Sequence, residues 1–127
     1  METFKEEIQV VENTNKPVTG TKSKATITEK LVGRMDEFMT PEQITNWNLK
    51  RPKTDPHTPD RLFVKIIART HTTPSYPVSQ LFVKPRDGRV GTRSAWAQWK
   101  RLYNEMPYIG QEVMAVVDEK GWYRFIL

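Results

Sequence analysis

The chain has no cysteine. That excludes disulfide staples and thiolate metal sites, so the fold must rest on its own core. Histidine occurs only as His57 and His71, both in proline-rich stretches. A zinc site would need both histidines plus carboxylates such as Asp55 and Asp60, and nothing in the spacing supports one. No Ser-His-Asp arrangement is evident, and Gly-Lys-Ser/Thr is missing, which excludes a Walker phosphate loop. No metal and no cofactor are expected. No apolar run is long enough to cross a bilayer, and the first residues lack a signal-peptide core. A cytoplasmic, intracellular protein with no membrane partner is the expectation.

What the chain does carry is basic charge, unevenly placed. The formal net charge is +5 over 127 residues. Residues 50–106 hold 12 Lys/Arg against 4 Asp/Glu, whereas residues 1–49 hold 6 against 8 and residues 107–127 hold 2 against 3. The positive surplus therefore lies on the central segment, which favours an anionic partner there.

That segment has two strand-like runs. Leu62, Val64, Ile66 and Ala68 alternate onto one face, and Leu81 and Val83 are placed with them as core. The other face then carries Phe63, Lys65, Ile67 and Arg69, followed by Phe82 and Lys84. Bases stack on aromatic rings while lysines follow phosphates, so aromatic-x-Lys on two strands points to a single-strand-binding face. The alternative is a sheet covered on both sides, with a helix over Phe63, Ile67 and Phe82; there the lysines would be costly to bury.

Two basic loops flank the runs. Lys50, Arg51 and Lys53 lie in a stretch with three prolines, which forbids regular structure. Arg86, Arg89 and Arg93 accompany Gly88 and Gly91 just before a helix start, where backbone amides attract phosphate. A plain Asp87-Gly88 turn with solvated arginines is the competing reading.

The remaining elements follow from local chemistry. Residues 1–24 read as a flexible N-terminal tail, in which Phe4, Ile8 and Val11 could form a short amphipathic helix over Thr3–Glu12, with residues 1–12 the candidate segment for docking a protein. Residues 25–127 form a single globular domain. Ala25–Met35 reads as a first strand, with Ile27 and Leu31 on one parity and Gly33 marking a bend. Thr40-Pro41-Glu42-Gln43 is a capping-box helix start, with Met39 and Ile44 as its staple, for a short helix over 41–49. Ser94 caps a second helix over 94–106, whose Ala95, Trp96, Trp99, Leu102, Tyr103 and Met106 share one arc. That arc makes Trp96 and Trp99 core anchors rather than base platforms. Gln111–Val117 and Trp122–Leu127 bracket Asp118-Glu-Lys-Gly121 as a hairpin.

The order strand, short helix, two strands, helix, two strands is similar to an OB-fold, a five-stranded barrel with a helix between its third and fourth strands. The resemblance implies oligonucleotide binding on the second and third strands, here residues 62–69 and 80–84. The fold class is thus α+β to mainly β, a small OB-like barrel, with a twisted antiparallel sheet as the alternative. Asp118-Glu119-Lys120, with Pro59-Asp60 upstream, also resembles the two halves of metal-dependent PD-(D/E)xK nucleases. That resemblance implies a divalent metal and a lysine near the attacking water. The leading expectation is a non-enzymatic binder of single-stranded DNA or RNA. A protein-interaction module or small accessory subunit comes second, and a metal-dependent nuclease is a minor third.

Overall fold

The computed structural model describes residues 17–54, 56–85 and 94–127. Its elements are β1 (Lys22–Arg34), α1 (Met35–Phe38), α2 (Pro41–Leu49), β2 (Leu62–Thr70), β3 (Pro77–Val83), α3 (Ala95–Tyr103), β4 (Glu112–Val117) and β5 (Tyr123–Phe125). The five strands form one antiparallel sheet in the order β3-β2-β1-β4-β5. The outer strands β3 and β5 lie against each other, so the sheet curls into a nearly closed barrel. With α3 between β3 and β4, the arrangement is consistent with a small OB-like fold.

β1 is long because it serves both halves of the barrel. Residues 22–26 pair with β4, and residues 25–34 pair with β2. Between Ile27 and Glu29 the register with β2 shifts. The extra residue there inverts the alternation. Ile27 faces the core opposite Ala68, but Leu31 now stands opposite Lys65 on the outer side and is 42% exposed. The expected shared parity of Ile27 and Leu31 fails for this reason. Gly33 is not the irregularity; a Cβ there would meet the Phe38 ring at 3.1 Å, so glycine permits α1 to fold back closely. β1 also starts at Lys22, inside the stretch assigned to the tail, because Gly20 and Thr21 bond to Val117.

The main core fills the barrel. Ala25, Ile27, Val64, Ile66 and Val78 line it, and α3 closes it with Trp96 and Trp99. Phe82 stacks on Trp96 (centroids 4.9 Å apart, 29° between planes) and meets Trp99 edge-on at 5.8 Å. The tryptophans are core anchors, as their helical arc requires. Ser94 caps α3 by accepting from the Ala97 amide at 3.1 Å. The helix stops at Tyr103, short of the expected Met106, because Asn104 takes the left-handed conformation (φ 61°). Leu102, at the margin of the arc, is exposed.

A smaller core lies outside the barrel. Met35, Ile44 and Phe63 are buried together, with Phe38, Met39, Trp47, Leu81 and Val83 packed around them. The expected capping box forms: the Gln43 amide donates to Thr40 Oγ1 at 3.2 Å, and the Thr40 amide donates to Gln43 Oε1 at 2.9 Å. The one-turn α1 begins at Met35, a residue whose sequence context reads as a continuation of the strand. It starts because Glu37 accepts from the Arg34 amide at 3.0 Å.

Candidate nucleic-acid interface

The expected Phe63/Phe82 face does not exist. In the β2–β3 ladder Phe63 pairs with Val83, and Val64 pairs with Phe82. Directly paired residues share a face, so Phe82 joins Val64 inside the barrel while Leu81 and Val83 turn outward with Phe63. Phe63 is fully buried on the outer side by the α1–α2 cap, where Trp47 meets it edge-on at 5.4 Å. For Phe63 the covered-sheet alternative is the one found. Neither ring can stack on a base in this conformation. Lys84 follows the parity of Phe82 and stands exposed at the barrel's rim, its amide bonded to the Leu62 carbonyl at 2.9 Å. Leu62, assigned to the core, is exposed at that same end.

Beyond the cap, no described helix or strand covers the outer side of β1, β2 and β3. One row places Leu31, Lys65 and Leu81 side by side. The next places Glu29, Ile67 and Ser79, and then comes Arg69 between Thr26 and Pro77. Lys65 and Ile67 are half-buried, and Arg69 is exposed. Cations thus alternate with aliphatic surface along β2. The lysine stem lies between two leucines, an arrangement that covers apolar surface while its ammonium reaches water.

The basic stretch after α2 adjoins the cap, and the Asn48 side chain helps to hold it in place. Asn48 donates from Nδ2 to the His57 carbonyl and accepts from the His57 amide, both at 2.9 Å. This two-point clamp closes the loop that carries Lys50, Arg51 and Lys53. Lys50 and Lys53 are exposed, and Arg51 is half-buried. Arg86, Arg89 and Arg93 lie outside the described residues, as do Asp55 and the 1–12 segment.

Between α2 and β3 lies a pocket of about 520 Å³ that the sequence did not announce. Phe38, Met39, Trp47 and Leu81 supply its apolar wall, and Gln43, Asn46, Lys50 and Arg51 its polar margin. The available signal was helical spacing: 43, 46, 47 and 50 fall at i, i+3, i+4 and i+7 of one helix, hence on one face. The indole nitrogen of Trp47 is buried without an acceptor among the described residues.

The nuclease-like halves are not brought together. Asp60 precedes β2, whose start pairs with the end of β1 at Arg34, whereas Asp118 follows β4, whose end pairs with the start of β1 at Lys22. The two carboxylates stand beside opposite ends of β1. Asp118 is committed to its hairpin: it accepts from the Lys120 amide at 2.9 Å and the Trp122 amide at 3.0 Å, and it pairs with Arg124. The Trp122 amide first, and then Arg124, hold its carboxyl below the usual carboxylate range. No cluster of three or more His, Asp or Glu with metal-binding geometry occurs among the described residues. None of their helices is long and apolar enough to cross a membrane.

Compared with known proteins, the chain matches no family model, no curated protein and no solved structure.

Proposed function

We propose that this protein binds single-stranded nucleic acid on the outer side of β1–β2–β3, without catalysing a reaction. The observation that carries the reading is the open part of that sheet, where Lys65 and Arg69 alternate with Leu31, Ile67 and Leu81. Phosphates need cations, and bases need apolar surface to lie on; a single strand offers both at once. Lys50, Arg51 and Lys53 extend the positive surface along the cap. Arg86, Arg89 and Arg93 add charge between β3 and α3 in sequence. Bases would rest on aliphatic groups here rather than on Phe63 or Phe82.

Fluorescence titration with single-stranded oligonucleotides over a salt series tests the reading. Binding should weaken linearly in log–log terms, with roughly 0.7 of slope per phosphate contact. The Lys65→Ala and Arg69→Ala variants should each lower that slope by about one contact, with the fold retained and the melting temperature lowered only modestly, more for Lys65 because its stem covers Leu31 and Leu81. Absence of binding at low salt would sink the proposal.

One observation favours a second reading, a protein-interaction module. Among the described residues no strand pairs with the β4 side of β1 beyond Thr26, although Ile27 there still bonds to Gly110 and Gln111, and Val32 farther along is 55% exposed. An open edge can accept a partner strand. That reading requires an association with a protein that survives nuclease digestion and is lost in Val32→Lys.

A further inference from the structure

The pocket between α2 and β3 has the chemistry of a base-reading subsite. Its wall is aromatic and aliphatic, from Trp47, Phe38 and Leu81, and its volume of about 520 Å³ accommodates a purine ring. Leu81 is shared with the open sheet row of Leu31 and Lys65, so a strand lying on that sheet passes the pocket mouth. Lys50 at the margin provides a cation for the neighbouring phosphate.

Two amides line the polar side, and they are not equivalent. Gln43 already commits its Oε1 to capping α2 through the Thr40 amide, so its NH₂ is the end left uncommitted toward a ligand. Asn46 makes no side-chain hydrogen bond among the described residues and is exposed, one turn from Gln43 and Lys50. An asparagine amide presents an acceptor and a donor side by side. That pair matches the N6 amino group and N7 of adenine.

From this we infer that the α2–β3 pocket holds one adenine base of the bound strand, with Asn46 reading its edge and Lys50 meeting its phosphate. The inference rests on the nucleic-acid reading above and adds a base preference to it. A sheet that only stacks and neutralises charge has little sequence preference. A single amide fork beside the stacking wall makes one position selective.

The full chain is titrated with two short single strands, all thymidine and thymidine with one central adenine. The adenine-bearing strand should bind roughly fivefold or more tightly, the discrimination of one bidentate pair. Asn46→Ala should abolish that difference while keeping the salt slope. Asn46 lies exposed on a helix, so its replacement does not touch either core. Lys50→Ala should lower the slope and keep the adenine preference. Equal affinity of wild-type protein for both strands, or a preference that persists in Asn46→Ala, overturns the pocket inference and leaves the binding function standing. Failure to bind either strand at low salt overturns both.

Discussion

Replacing Phe82 with alanine tests the inversion of the β3 strand directly. The ring is 1% exposed and lies between Trp96 and Trp99. A buried aromatic side chain removes about 150–250 Å² from water, worth roughly 4–6 kcal/mol at about 25 cal/mol per Å². The retained Cβ and residual burial in the unfolded chain reduce this, and the cavity left behind restores part of it. The expected loss is about 3–5 kcal/mol. At roughly 4 °C per kcal/mol for a domain of this size, the melting temperature should fall by about 12 °C or more. Denaturant unfolding followed by tryptophan fluorescence reads this well, because two of the reporting rings touch the site. Phe63→Ala should act differently. Its partners are the α1–α2 cap, so amide exchange should quicken over residues 35–49 while β1–β4 pairing keeps its protection. A Phe82→Ala protein melting within a degree or two of wild type, with stronger effects on oligonucleotide binding than on stability, would refute the buried placement.

Asn48→Ala removes both bonds of the loop clamp and should cost about 1–2 kcal/mol, measured by urea unfolding, with weaker oligonucleotide binding because the basic loop loses its anchor. The Asp118 carboxyl has a lowered pKa in the folded hairpin, so its contribution is present above the ordinary carboxylate pKa and lost as pH falls through the lower folded value. The stability difference between wild type and Asp118→Asn, followed in paired urea melts from neutral pH to about pH 2, should accordingly shrink toward the acid end. A difference independent of pH would show that the carboxylate charge contributes nothing.

Elements set by short-range chemistry were legible in the sequence. The Thr40–Gln43 box, the Ser94 cap and the Asp118 hairpin each declare themselves within a few residues, and each forms. The order of strands and helices also carried the barrel arrangement. The facing of β3 was not legible, for a physical reason. Both of its parities are apolar, Val78 and Phe82 on one and Leu81 and Val83 on the other, so alternation alone cannot tell inside from outside. Register with β2 decides it, and register is a long-range property. The β1 irregularity has the same character: one extra residue at Thr28 moves Leu31 to the opposite face without changing the local composition. Lys65 and Arg69 keep their expected outward placement, because β2 has one apolar parity and one mixed parity. The pocket stayed hidden because its two walls, α2 and Leu81, are more than thirty residues apart in the chain.

Trp96 does more than fill the barrel. Its indole Nε1 donates to the Val83 carbonyl at 2.6 Å, joining the first turn of α3 to the last residue of β3. The chain that leaves Val83 and returns at Ser94 therefore starts and ends at points already fastened to each other. Its own length is then almost irrelevant to folding, since doubling a closed loop costs only about 0.6 kcal/mol. A peptide inserted between Val83 and Ser94 is therefore expected to leave the barrel standing, because the Trp96–Val83 bond holds the two flanking elements together.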